Sequence, residues 1–233
     1  MYRTLEASCL VETAQALHLR IVERFPNAGL GGVAREVAEV SQEARERCRE
    51  IRRTNVPLRI GSILISVAAV SFIVLLIYRA RFTSDMWLIE NLLEEVDAAL
   101  GSVVFLGAAI IFLVSTETRL KRRKSLVAVN ELRAFAHIID MHQLTKDPEP
   151  ITRCKPTEHS PERTMTPFEL GRYFDYCSEL LSIVAKVGAL YVQAFPDPVT
   201  LNAVDDLENL CTGLSRKIWQ KATLIDRLTK SSD

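Results

Sequence analysis

From Ile60 to Tyr78, and again from Ala98 to Thr116, nineteen consecutive residues pass without a charge. At about 1.5 Å per helical residue each run covers about 28 Å, close to the roughly 30 Å hydrocarbon core of a bilayer. The pattern predicts two membrane-spanning helices. Ile, Leu, Val and Phe dominate the first run, and at a few tenths of a kcal/mol each they favour insertion by about 4–6 kcal/mol, with no ionised side chain opposing. The competing reading is a soluble hairpin buried in a large core. A chain of 233 residues is too small to wrap two helices that are apolar all round.

Elsewhere the apolar positions recur at helical spacing. Tyr2 to Arg24 predicts a first helix with Leu5, Cys9, Ala16, Leu19 and Val22 near one face, and Pro26, Asn27, Gly29, Gly31 and Gly32 then predict a turn. That glycine stretch lacks the G-K-[ST] ending of a phosphate-binding loop. Val33, Val37, Val40, Ala44, Cys48 and Ile51 form a short heptad-like seam flanked by Glu and Arg. Beyond the second apolar run, Leu126, Val129, Leu132, Phe135, Ala136 and Ile139 continue helically and are expected to pair antiparallel with that seam. Gln143 to Met165 holds four prolines and little apolar content, which predicts a mobile loop. Helix punctuation resumes at Thr166-Pro167-Phe168-Glu169, with threonine as cap, proline in the first turn and glutamate closing a capping box. Leu170, Phe174, Cys177, Leu181, Val184, Val187 and Tyr191 mark its buried face. Pro196 ends it, Asp197-Pro198 opens the last helix, and Leu207, Leu210, Leu214, Ile218, Ile225 and Leu228 line that one. The predicted fold class is all-α: a two-helix transmembrane hairpin inserted in a cytosolic helical bundle.

Charge sets the expected orientation. Arg45, Arg47, Arg49, Arg52, Arg53 and Arg59 precede the first run, and Arg119, Lys121, Arg122, Arg123 and Lys124 follow the second. The connector from Arg79 to Asp97 has two arginines against Asp85, Glu90, Glu94, Glu95 and Asp97. The positive-inside rule then puts both termini in the cytoplasm, the acidic connector outside and the protein in the inner membrane. Thr83, Ser84 and Asp85 are capping candidates in the connector, Trp87 suits an interface, and Met86, Ile89, Leu92, Leu93, Val96 and Leu100 have helical spacing. An extension of the second span explains that spacing better than a separate outer helix. The first forty residues offer no signal-peptide core, so the first span is expected to act as its own insertion signal. Residues 1–57 thus read as cytosolic helices and stalk, 58–117 as the hairpin, and 118–233 as the bundle with its 143–165 loop.

Composition adds exclusions. Lys plus Arg and Asp plus Glu both number 29, so no overall field points to nucleic acid, and no direct nucleic-acid binding is expected. The basic residues 119–124 are explained by topology plus attraction to anionic lipid headgroups, worth about 1 kcal/mol per residue near the surface. Five scattered cysteines without a C-x-x-C pair fit reduced thiols rather than a zinc site or a disulfide framework. The spans hold no ionisable residue, which argues against an ion-coupled transporter. Ser62, Ser66, Ala69, Gly101 and Gly107 would permit close helix approach.

The densest functional cluster is His137, Asp140, His142, Lys146 and Asp147, where a helix runs off into the loop. His137 and Asp140 share a helical face, whereas His142 joins them only if the helix ends first. Three ligands fall short of the usual four for structural zinc, so neither metal nor cofactor is expected. Organisation of the helix end is favoured over a ligand or partner pocket. No G-x-S-x-G or other nucleophile context is present, and Asp205, Asp206 and Glu208 suit the start of a helix dipole.

In layout, two spans plus a helical cytosolic domain, the chain resembles small two-span effectors of bacterial defence systems, including retron-associated ones. The resemblance implies a non-enzymatic, homo-oligomeric membrane effector. Its cytosolic bundle would sense a protein or nucleoprotein partner and control a hairpin that perturbs the bilayer. The alternatives are a membrane anchor or scaffold recruiting a cytosolic partner and, last, an enzyme centred on His137, Asp140 and His142.

Overall fold

The computed structural model describes residues 4–53, 56–82, 89–144, 146, 158–159 and 165–230. Within them are six helices and no strand: α1 (Ala7–Arg24), α2 (Gly29–Arg52), α3 (Val56–Phe82), α4 (Ile89–Leu144), α5 (Pro167–Ala194) and α6 (Pro198–Lys230). The chain divides into two compact units. Unit 1 comprises Met1–Arg52 and Arg122–Asp233, and unit 2 comprises Arg53–Lys121.

In unit 1, α5 is the central helix, packed against α1, α2 and α6. Its start is the expected capping box: Thr166 Oγ1 accepts from Glu169 N, and Glu169 Oε2 accepts from Thr166 N. Leu170, Phe174, Cys177, Leu181, Val184, Val187 and Tyr191 are all buried, together with Tyr173, Tyr176 and Leu180. A Cβ built on Gly188 would lie 2.8 Å from Leu207 Cδ2, so the missing side chain lets α5 and α6 approach closely. Leu207, Leu214, Ile218 and Ile225 of α6 are buried, Leu210 is half-buried, and the side chain of Leu228 lies outside the described residues.

Two expectations are corrected here. The face expected for α1 is the wrong one: Leu10, Val11, Ala14, Leu17 and Ile21 are buried, while Cys9, Ala16, Leu19 and Val22 are exposed. Glu12 and Glu23 project from the middle of the expected face at 100° per residue, and burying them would cost far more than exposing Leu19. The glycine stretch is not a turn but the first turn of α2. The chain reverses at Phe25–Ala28, where Ala28 N donates to Phe25 O at 3.0 Å. Phe25 fills the corner edge-on to Tyr173 and Tyr176, with centroids 5.6 and 6.2 Å apart.

The heptad-like seam of α2 is buried throughout, from Val33 to Ile51. The C-terminal part of α4 runs antiparallel to it. Glu50 pairs with Lys124 at 3.6 Å, Arg47 with Glu131 at 2.7 Å, and Gly29 lies against His142. Glu131 keeps Arg47 firmly protonated through its hydrogen bond, against the opposing cost of partial burial. On its other side α4 meets α6 through Arg122–Asp197 and Arg133–Asp206.

Unit 2 contains α3 and the start of α4. From Ile60 to Tyr78 the large apolar side chains with described exposure are 51–63% exposed, and Val104, Phe105, Ile111 and Phe112 are 59–82% exposed. Ser115 and Thr116 return their hydroxyls to the carbonyls of Ile111 and Phe112 at 2.6 and 2.9 Å. The helix thereby satisfies its own polar side chains. Among the described residues, one helix is long and apolar enough to cross a membrane, α5, and half of that stretch is buried as a bundle core. Ile63–Phe72 in α3 is a shorter apolar stretch. In the connector, α4 already begins at Ile89, in keeping with an extension of the second apolar run. Thr83–Trp87 and the side chains of Ile89–Leu100 lie outside the described residues.

Candidate functional site

The corner around the end of α4 forms because α4 stays helical through Leu144 and delivers its last turn to the start of α2. That continuity separates the candidate residues. His137 is exposed, whereas Asp140 and His142 are half-buried. Asp140 Oδ1 accepts from Gln143 Nε2 at 2.7 Å. His142 lies against Gly29, where an added Cβ would stand 2.8 Å from its Cε1. A side chain at Gly29 would require the imidazole to shift, so the first glycine of the stretch lets His142 approach the start of α2. Lys146 N donates to Gln143 O at 3.2 Å and closes the helix end. Asp147 lies outside the described residues, as does most of 143–165.

Gln143 is the residue sequence reasoning missed. It is 2% exposed, and its Oε1 has no hydrogen-bond partner among the described residues. An orphaned buried acceptor costs about 1–3 kcal/mol. A glutamine three residues from a carboxylate on a helix was the only available signal. Asp140 also faces Cys177, whose thiol is pushed up to about 12, first by burial and then by that carboxylate. Burial likewise raises Cys48 and Cys211 to about 11. None of these three thiols has nucleophile character. No group of three His, Cys, Asp or Glu among the described residues could hold a metal.

The basic cluster after the second apolar run divides by partner. Arg119 stacks over Phe112 at 5.5 Å, Lys121 pairs with Glu117 at 2.9 Å, and Lys124 reaches Glu50. Arg123 is exposed. Arg122 is committed elsewhere: its Nε and Nη2 donate to Asp197 Oδ2 and Oδ1 at 3.0 and 2.6 Å. The same carboxylate caps α6, accepting from Val199 N at 3.1 Å and Thr200 N at 3.2 Å. One buried side chain thus fixes the start of α6 and ties it to α4.

The Arg122 guanidinium, then the capping N–H groups, hold the Asp197 carboxyl below the usual carboxylate range, outweighing desolvation. A depressed folded-state pKa gives stabilisation that is present above about pH 3.9 and lost as pH falls through the folded value. Asp197→Ala is expected to cost about 1–2 kcal/mol at pH 7 through the lost cap. The difference from wild type should shrink below pH 4, and thermal unfolding followed by circular dichroism at both pH values checks it. An unchanged melting temperature at pH 7 would contradict the capping role.

Among the described residues the arrangement offers charged side chains for packing and surface attraction. No family model, no curated protein and no solved structure matches the chain.

Proposed function

We propose that unit 2 is a two-span hairpin in the inner membrane, with both termini cytoplasmic and the connector 79–97 outside. Unit 1 is then a cytosolic helical bundle that self-associates or receives a protein or nucleoprotein partner, and thereby controls a hairpin that perturbs the bilayer. The observation that carries this reading is the contrast between the units. Unit 1 buries its apolar faces, whereas unit 2 leaves Ile63, Leu64, Val67, Phe72, Val104 and Phe105 all more than half exposed. Contiguous apolar surface on that scale needs lipid or protein cover. Helix α3 is apolar all round, the pattern of a helix solvated by lipid rather than of one side of a soluble bundle.

Arg119, Arg123 and Lys124 are exposed for attraction to anionic headgroups at the end of the second span, while Arg122 anchors α6. On this reading the layout resembles that of small two-span effectors in bacterial defence, and anti-phage action is the biological role proposed. Inducible expression with a membrane-potential dye tests it. Collapse of the potential soon after induction is the expected result. An unchanged potential at high, membrane-extracted protein levels would reject the effector in favour of an anchor for a cytosolic partner. Loss of the phenotype in a His137→Ala, Asp140→Ala variant of normal abundance would instead favour an enzyme at that corner.

A further inference from the structure

Helix α4 carries an apolar line that the described bundle leaves uncovered. Val127, Asn130, Ala134, Ile138 and Met141 are all exposed and lie within an arc of about 80° at 100° per residue. Val127, Ala134 and Met141 are spaced by seven residues, and Leu120 continues the spacing one heptad earlier. On α1, α5 and α6 the exposed large apolar side chains come singly or as one pair per face. Leu201 and Trp219, for example, share a face of α6 but stand about five turns apart.

A seam that repeats every seven residues keeps facing a partner helix that supercoils with it. Helix α4 is unbroken from Ile89 to Leu144, through the second apolar run. With that run in a bilayer, every copy sends α4 into the cytoplasm in the same direction and from the same depth. Two copies then meet parallel and in register, with Val127 against Val127, Asn130 against Asn130 and Met141 against Met141, an isologous contact about a two-fold axis along the helices. A side-chain amide both donates and accepts, so Asn130 is complementary to itself, and a lone asparagine in such a seam fixes its register. Ala134 is small enough to let the helices approach. The charges bordering the line are already paired within the chain, Lys124 with Glu50, Glu131 with Arg47 and Arg133 with Asp206. Arg123, at the membrane end of the line, is left to the anionic headgroups. Residues 145–164, which follow α4 in the chain, offer one large apolar side chain, Ile151, among four prolines, too little to cover the line.

We infer that the exposed line of α4 from Val127 to Met141 is a parallel self-association surface, on which two copies of this chain in one membrane pair in register. The inference deepens the self-association within the proposed function and rests on it. A helix face about 21 Å long falls at the small end of interface sizes, about 1,200 Å² or less in total. The pairing is therefore weak in dilute solution and gains its strength from copies aligned and confined by the bilayer.

Single cysteines on the line test this with the full chain in the membranes of expressing cells, in a background with Cys9 and Cys154 replaced by serine. Cys48, Cys177 and Cys211 are buried and stay in place. Copper–phenanthroline oxidation joins two thiols only when they meet. Val127→Cys and Met141→Cys should each form a same-site disulfide dimer at least about tenfold faster than Trp219→Cys, an exposed control position on α6. Met141→Glu should slow joining at residue 127 about tenfold, because like charges then face each other across the seam. All three positions are exposed, so the variants should melt like the background chain. Joining at residues 127 and 141 no faster than at 219 would overturn the surface. So would a product formed only between co-expressed Val127→Cys and Met141→Cys chains, the mark of an antiparallel pair, or joining at 127 that is indifferent to Met141→Glu. Carbonate extraction of the same membranes reports lipid embedding separately. A resistant chain that fails to join rejects the pairing alone, and a released chain rejects the bilayer reading with it.

Discussion

Replacing Phe174 with alanine is expected to cost unit 1 about 3–5 kcal/mol, roughly a fifth or more of the stability of an ordinary domain. The ring is 0% exposed in the first third of α5, the helix that packs against α1, α2 and α6. Removing it takes away the transfer energy of the ring and leaves a cavity in the core. Phe168, six residues earlier on the same helix, provides the control. It is 70% exposed beside the capping box, and its replacement by alanine should move stability by no more than about 0.5 kcal/mol. Urea unfolding of both variants, followed by circular dichroism, measures the contrast. Equal costs for the two would show that α5 is not the core helix.

The part of the fold that punctuation and spacing encode was legible. Thr166, Glu169 and Asp197 act locally, through hydrogen bonds to backbone groups two or three residues away, so their roles follow from neighbours in the sequence. The α2 seam and the α5 face repeat in steps of three and four with few apolar competitors. Helix α1 has apolar residues on both sides, and the decision fell to Glu12 and Glu23, which a list of apolar positions leaves out. His142 against Gly29 and Arg122 on Asp197 join residues 113 and 75 positions apart. No local rule reports such pairs. Arg122 looks like any other base beside a span until the buried carboxylate that holds it is seen.

The candidate site was legible only as composition. His137, Asp140 and His142 form a conspicuous cluster along the chain, but a helix that continues to Leu144 spreads them around its axis. The same helix brings buried Gln143 to Asp140 instead. Asp205 and Glu208 suited the helix dipole, which accounted for their charge without reference to the groove between α5 and α6 that they border.

Lysine at both Val104 and Ile110 is expected to abolish stable membrane integration, the largest effect predicted for this chain. Each charge near the middle of a span opposes insertion by about 2.5–3.5 kcal/mol, so the pair outweighs what the remaining apolar residues of the run supply at a few tenths of a kcal/mol each. The substitution also discriminates between the two environments the second apolar run could occupy. Val104 is 65% exposed. In water, lysine at so open a position changes stability by about 0.5 kcal/mol at most, whereas in lipid the same side chain has no solvent. Met141→Lys, at a 59% exposed position of unit 1, should leave the protein in the membrane fraction. Carbonate washing and fractionation of all three proteins measures the difference. A double-lysine chain that pellets as wild type does, or a wild-type chain released by the wash, would mean that water rather than lipid bathes Val104.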